Sequence, residues 1–154
     1  MVSQSPYHND PPSPTSDAGE PGCRLELHAL AEVSRVLTAV AADMTALNYG
    51  SRDIFAVKLG LEEAISNAVK HGNRRDPAKR VRIRYRVTAD RVVAEVADEG
   101  AGFDPAAVPD PRPGGYRDRP CGRGLFLMRA YMTWVAFNAR GNEVTLCRLR
   151  GHAA

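Results

Sequence analysis

Three polar residues recur at four-residue intervals within the stretch LEEAISNAVKHGN, residues 61–73. They are a carboxylate, an amide and an imidazole: Glu63, Asn67 and His71. Residues four apart on a helix lie on one face, so this spacing predicts a polar line along a helix. An amide oxygen suits a hydrated Mg²⁺ that bridges phosphates. A carboxylate one turn earlier could accept the proton of a hydroxyl that attacks a γ-phosphate.

A glycine-bearing motif, DEGAGFD, follows at residues 98–104. The carboxylate of Asp98 can accept a hydrogen bond from an exocyclic amine such as that of adenine. Gly100 and Gly102 have no Cβ, so the backbone there can approach a planar base closely. On its own this motif is a common turn composition.

A second glycine motif, CGRGL, stands before an apolar run at residues 121–125. Gly122 and Gly124 at a helix start would expose backbone N–H groups, which form a favourable phosphate site. Arg123 between them could add positive charge. Each motif alone is a weak signal, but the order and spacing of all three together indicate a nucleotide site.

The hydrophobic periodicity predicts three helices that would position these motifs. The first covers about residues 31–47. The second covers IFAVKLGLEEAISNAVKHG and ends at Gly72, since glycine accepts the left-handed conformation that closes helices. The third begins at the glycines of GRGLFLMRAYMTWV.

Alternating hydrophobic residues predict strands in RLELHAL and VRIRYRV, and a return strand in VVAEVADEG after a turn at TADR. A final hairpin is expected in VAFNARGNEVTLCRLR, with its turn at Arg140 to Asn142. The predicted fold is a two-layer α/β (α+β) sandwich, with helices on one face of a mixed, mainly antiparallel sheet. Residues 104–123 form a loop long enough to expect a functional or mobile segment.

The composition is that of a soluble globular protein, with 44% hydrophobic and 25% charged residues. The Pro- and Ser-rich residues 1–22 are expected to be a disordered tail, and residues 24–150 a single domain. A net charge of +3 is too small to indicate a nucleic acid or membrane partner. The N-terminus lacks the apolar core of a secretory signal, and the three cysteines match no zinc or disulfide pattern. We therefore expect a cytoplasmic protein.

The three motifs resemble the N box and the two glycine boxes of the GHKL ATPase superfamily, whose domain is called the Bergerat fold or histidine-kinase-like ATPase domain. Within this superfamily, the sequences EEAISNAVKHGN, DEGAGFD and GRGLFLMRAYMTWV are similar to those of the anti-sigma factor serine/threonine kinase branch. The resemblance covers roughly Leu25 to Leu149. The chain departs from the pattern in two respects. RGNEVTL carries Asn142 where the family usually has Gly-Thr before the valine, at a contact near adenine, and the lid is long and rich in proline.

The resemblance implies a role for each matching residue. Glu63 would be the general base and Asn67 the Mg²⁺ ligand, with His71 near the ATP. Asp98 would bind the adenine amine, and Arg35 on the first helix would contact a protein partner. The remaining positions are the glycines beside the base and the residues of the lid over the phosphates: Gly100, Gly102, Gly122, Arg123 and Gly124.

The function implied is an anti-sigma regulator of transcription that sequesters a sigma factor. It would also use Mg·ATP to phosphorylate a STAS-type anti-anti-sigma protein, and it could form a homodimer. The alternative is a nucleotide-dependent partner-binding module without relevant kinase activity. A third hypothesis is a basic stripe for nucleic acid on residues 80, 82, 84 and 86, all arginines. The stripe lacks interleaved aromatic residues, so we expect a solvated strand face and neither nucleic acid nor membrane binding.

Overall fold

The computed structural model describes residues 22–104 and 120–152. Within these ranges five strands form one sheet in the order β1-β2-β3-β5-β4. Every described pair of neighbours is antiparallel, so the sheet has the expected antiparallel character without a parallel pair. The strands are β1 Cys23–Leu27, β2 Val81–Val87, β3 Arg91–Ala97, β4 Trp134–Phe137 and β5 Glu143–Leu149. The tail expected at residues 1–22 falls almost wholly outside the described residues.

Helices pack on one face of this sheet, which confirms the two-layer sandwich. They are α1 Val33–Ala46, α2 Ser51–Asn67 and α3 Pro120–Tyr131. A 3₁₀ turn precedes α1, and a π-helical turn, Ala68–Gly72, continues α2. Among the helices of the described ranges, we find none with the length and apolar character needed to span a bilayer.

The core lies between the helical layer and one face of the sheet. Along β2 the alternate residues Val81, Ile83 and Tyr85 are buried, as the period of two predicts. Across the ladder Ile83 pairs with Val96 and Tyr85 with Ala94, which are also buried. The buried residues of α1 recur at helical spacing and contact this surface: Val33, Val36, Leu37, Val40 and Met44.

The outer face of the sheet carries the predicted arginine stripe. Arg84 forms an ion pair with Glu95 on the neighbouring strand, and Glu95 is buried. Arg80, just before β2, lies 3.3 Å from a carboxylate oxygen of Glu26 on β1. The stripe is therefore interleaved with carboxylates, which supports a mixed-charge solvated face rather than a nucleic-acid surface.

The second helix ends where predicted but with a different conformation, and the third is shorter than the run GRGLFLMRAYMTWV in which it was expected. The third helix stops at Tyr131, because Trp134 and Val135 join β4 and pair with β5. The second helix does end at Gly72, but this glycine does not have the left-handed conformation that was expected. The left-handed backbone lies just beyond, at Arg74 (φ 51°) and Arg75 (φ 59°).

A fully buried arginine joins the helical layer to the last strand. Arg148 of β5 donates from Nε to Asp53 Oδ1 at 2.9 Å, and from Nη1 to the Tyr131 carbonyl at 2.6 Å. Its Nη2 donates to the carbonyl of His152 at 2.9 Å, and the Gly151 N–H donates to Asp53 Oδ2 at 2.8 Å. The pair thus fixes the start of α2, the end of α3 and residues 151–152 together.

Replacing Arg148 by Met should lower the free energy of unfolding by about 3–5 kcal/mol, because the Asp53 carboxylate would stay buried without its cation. Urea denaturation measures this loss. The matched control is Arg80→Met, which breaks the exposed pair with Glu26 and should cost about 1 kcal/mol or less. Equal losses in the two variants would contradict the structural role of the buried pair.

Candidate functional site

A cavity of about 180 Å³ lies where α2, α3 and the ends of the central strands meet. Its walls are mainly apolar. They include Ala64 on α2, Met128 on α3 and Val96 on β3. Polar side chains interrupt these walls at a few points: Asn67, His71, Asp98, Asn142 and Glu143. A mainly apolar cavity with a few convergent polar groups has the character of a small-molecule site.

Several of the predicted site residues come together here. Asn67, His71, Asp98 and Gly102 all line the cavity, although Asn67 and Asp98 lie on different elements and 31 positions apart in the sequence. His71 lies in the π-helical turn that follows Asn67. Its side chain is exposed at the cavity edge.

Glu63 is not among the cavity-lining residues; it lies one helical turn before Asn67 on α2. There α3 crosses the polar line closely at Gly124. A Cβ on Gly124 would lie 2.8 Å from Glu63 Oε2 and 3.2 Å from Asn67 Nδ2. Gly122 and Arg123 belong to the first turn of α3, which begins earlier than expected at Pro120. The surroundings of these two residues lie outside the described part of the structure. The glycine at 124 therefore lets α3 approach the carboxylate and the amide together.

Asp98 follows β3 and forms one wall of the cavity. One oxygen, Oδ1, accepts a hydrogen bond from the Gly100 N–H at 2.7 Å, which fixes the carboxylate. Burial raises the pKa of Asp98 above its ordinary value, and the Gly100 N–H and the charge of Lys79 oppose that rise. The result is an oriented, partly desolvated acceptor, which suits recognition of a hydrogen-bond donor on a ligand.

The glycines of DEGAGFD are needed for close contacts within the chain itself. A Cβ on Gly100 would overlap the carbonyl of Gly72, and a Cβ on Gly72 would overlap the Asp98 carboxylate. Gly102 has φ +83° and passes against the Arg140 carbonyl. These glycines thus shape the cavity wall by backbone packing, and their predicted approach to a base stays a prediction.

Two phenylalanines and two asparagines also lie at or beside the site, and of these only Asn142 was singled out from the sequence. Phe103 and Phe137 line the cavity and meet edge to face, with centroids 5.2 Å apart and planes at 83°. Asn142 lines it too, and its Oδ1 accepts a hydrogen bond from Asn138 Nδ2 at 2.7 Å. Asn73, just after the π turn, is buried at 3% exposure. The contact between Phe103 and Phe137 joins the segment after β3 to the end of β4, and no local motif records it.

Arg35, the predicted partner contact, lies on α1 and does not line the cavity. Its guanidinium donates from Nη2 to the Glu26 carbonyl at 2.6 Å and lies 3.5 Å from Glu32 Oε1. The side chain is 54% exposed. It is therefore accessible on the helical layer, in a fixed orientation set by β1.

The family comparison agrees with this geometry. Residues 23–148 match the family model described as the histidine kinase-like ATPase domain. The chain belongs to the histidine kinase-like ATPase family. An ATPase domain implies use of ATP. The cavity, with the Asp98 carboxylate as an oriented acceptor and the Asn67 amide also in its wall, fits this use.

Among its relatives, this histidine kinase-like ATPase domain is 37% identical to the serine-protein kinase RsbW of Bacillus licheniformis and 40% identical to that of Bacillus subtilis. Each match runs over 68 residues and covers 44% of this chain but only 41% of the relative. A longer match, 30% identical over 102 residues, covers 64% of this chain and 72% of the serine/threonine-protein kinase BtrW of Bordetella bronchiseptica. The named relatives are thus serine/threonine protein kinases.

The fold is shared with a crystal structure of the RsbU and RsbW domains of a Mycobacterium tuberculosis protein. The TM-score is 0.54 at 16% identity, over 85% of this chain and 34% of the other. At this identity the likeness concerns the fold alone.

The raised pKa of Asp98 predicts a pH-dependent effect on stability. Because the unfolded chain releases this proton first, the free energy of unfolding falls as pH rises from the ordinary value of 3.8 through the higher folded value. Asp98→Asn cannot ionise, and its amide oxygen can still accept the Gly100 N–H. We expect this variant to gain stability relative to the parent as pH rises to neutrality, measured from urea midpoints across that range.

Asp90 supplies a control of opposite sign, since a hydrogen bond from Thr88 lowers the pKa of Asp90. That group stabilises the fold above its ordinary pKa, and the stabilisation is lost as pH falls. Asp90→Asn should therefore lose stability relative to the parent as pH rises. The same pH trend in both variants would contradict the burial effect at Asp98.

Proposed function

We propose that this chain is an ATP-dependent serine/threonine protein kinase that acts as an anti-sigma regulatory factor in the cytoplasm. It would sequester a sigma factor and phosphorylate a STAS-type anti-anti-sigma protein, and the two proteins would compete for it. The observation that carries the proposal is that Asn67 and Asp98 line the same cavity. Glu63 and Asn67 both lie close to Gly124 of α3. Family membership and the kinase names of the relatives support it.

The proposed roles follow from the positions of the polar groups. Glu63 would accept the proton of the attacking hydroxyl, because it stands next to Asn67 at the α3 side of the cavity. Asn67 would hold Mg²⁺ through its amide oxygen. The residues fit such an ion, because Mg²⁺ on a nucleotide typically takes one or two protein oxygens and fills its remaining positions with phosphate oxygens and water. When bound, the ion would neutralise charge on the phosphates.

The nucleotide base would enter between the apolar walls and the Asp98 carboxylate. Asp98 would accept a hydrogen bond from the adenine amine, and Phe103 and Phe137 offer flat apolar surface nearby. Gly122, Arg123 and Gly124 would contribute to the phosphate side, and His71 would lie near the ATP at the cavity edge. Arg35 would contact a protein partner, and a homodimer is compatible with this arrangement.

Intact-mass spectrometry of candidate STAS-domain proteins, incubated with this chain and Mg·ATP, tests the proposal. We expect one phosphate to be gained on one partner, and Asn67→Ala to abolish the gain. Glu63→Gln should slow transfer by about a hundredfold or more while ATP still binds, because only the proton acceptor is lost.

The outcomes separate the candidate functions. Asn67-dependent ATP binding without phosphate transfer to any partner would favour the nucleotide-dependent binding module over the kinase. If ATP does not bind at all, the site assignment fails. Transfer that is unaffected by Glu63→Gln would remove the general-base role and leave the rest intact.

Gly124→Ala should separate stability from activity. Alanine in a helix interior is about 0.5–1 kcal/mol more favourable than glycine, so the fold should be as stable or more so. The new methyl would displace the Glu63 carboxylate, whose Oε2 would be 2.8 Å away. We expect phosphate transfer to fall about tenfold or more, since small misplacements of catalytic groups are costly.

Gly60→Ala is the matched control for this change. Gly60 is likewise a helical glycine, on α2 rather than α3, but a Cβ there would meet the Met132 thioether, 2.9 Å away, and not a site residue. Transfer rates by mass spectrometry and urea midpoints should be compared in both variants. Equal transfer in the parent and Gly124→Ala would contradict the proposed position of Glu63.

A further inference from the structure

Asn73 is a buried polar residue that forms four hydrogen bonds. Its side chain donates from Nδ2 to the Arg80 carbonyl at 2.9 Å and accepts at Oδ1 from the Glu99 N–H at 2.8 Å. Its backbone N–H donates to the Ala68 carbonyl at 2.8 Å, and its carbonyl accepts from the Asp76 N–H at 3.0 Å. Four bonds therefore converge on one residue at 3% exposure.

The bonds of Asn73 link three separate elements. Ala68 begins the π turn after α2, Arg80 precedes β2, and Glu99 lies two residues after β3. The Glu99 side chain closes a ring, because its Oε2 accepts the Arg80 N–H at 2.6 Å. We call Asn73, Arg80 and Glu99 the Asn73 clamp.

The asparagine amide satisfies both side-chain contacts of the clamp. The Arg80 carbonyl needs a donor and the Glu99 N–H needs an acceptor, and the neutral asparagine side chain offers one of each. An apolar residue would remove both bonds and leave the two partly buried backbone groups without these partners. An aspartate would keep the acceptor and lose the donor.

The clamp joins the two walls of the cavity. Asp98 directly precedes Glu99, and Asn67 directly precedes the π turn whose Ala68 carbonyl is bound by Asn73. We propose that Asn73 is a positioning residue for nucleotide recognition. It fixes the Asp98 carboxylate relative to α2, and so sets the preference for a base with an exocyclic amine. This inference rests on the proposed binding of adenine at Asp98.

Calorimetric binding of ADP and of IDP tests the proposal, because IDP carries a carbonyl where ADP carries the amine. The parent chain should prefer ADP. Asn73→Ala should weaken ADP binding about tenfold or more, the scale of one hydrogen bond to a charged group. IDP binding should change much less, so most of the preference disappears. Binding is measured at a temperature well below the thermal unfolding midpoint of each variant, so that unfolded protein does not affect the measured affinity.

Tyr49→Phe is the matched control for a lost hydrogen bond. The Tyr49 hydroxyl donates to the Thr88 carbonyl at 2.7 Å, beyond the other end of β2 from the clamp. This variant should be destabilised but should keep the parent ratio of ADP to IDP affinity. If Asn73→Ala does not fold, Asn73→Asp takes its place, because it keeps the acceptor for Glu99 and should lose part of the preference.

The outcomes are distinguishable from those of the proposed function. A parent chain that binds neither nucleotide, or binds both equally, overturns the Asp98 assignment and this inference with it. A parent that prefers ADP, alongside a folded Asn73→Ala or Asn73→Asp that keeps the full preference, overturns this inference alone. Loss of the preference in Tyr49→Phe as well would show that general destabilisation is sufficient, which also overturns it.

Discussion

The site depends on the close contact between Gly72 and the segment after β3. Gly72 ends the π turn, and it lies so near to Asp98 and Gly100 that a Cβ at either glycine would overlap the other segment. This contact determines where the end of α2 meets the end of β3, and with it the width of the cavity. A side chain at either glycine would separate the walls, so the backbone itself acts as the spacer.

A π-helical turn, rather than an ordinary α-helical turn, leads into that contact. An ordinary α-helical turn would bond each N–H four residues back, whereas the Asn73 N–H reaches five residues back to Ala68. Gly72 ends this turn against Asp98, and His71 is exposed at the cavity edge. Left-handed arginines at 74 and 75 then redirect the chain toward β2. Irregular backbone of this kind is concentrated at functional sites.

Much of the architecture could be predicted from local patterns, and the departures have physical causes. The alternation in VRIRYRV gave β2 with the observed ends, because burial on one face fixes its period. Val135 was expected in the final hairpin and does pair with β5, whereas Trp134 stood in the run predicted to form the third helix, because only pairing with β5 decides that it forms a strand. Asn67 and Asp98 were expected at one site and do line one cavity, whereas the clamp role of Asn73 requires partners that no local sequence window contains.

The buried Arg148–Asp53 pair has a consequence for biosynthesis. Its two partners are 95 positions apart, and the carbonyl of His152 completes the arginine's hydrogen bonds. During translation Asp53 and the whole of α2 leave the ribosome long before Arg148 is made. The hydrogen bonds from Arg148 to α2 and to the end of α3 cannot form until that arginine has been made, so the nascent domain stays incomplete until then. Folding of this domain should therefore finish only after residue 152 has emerged from the exit tunnel.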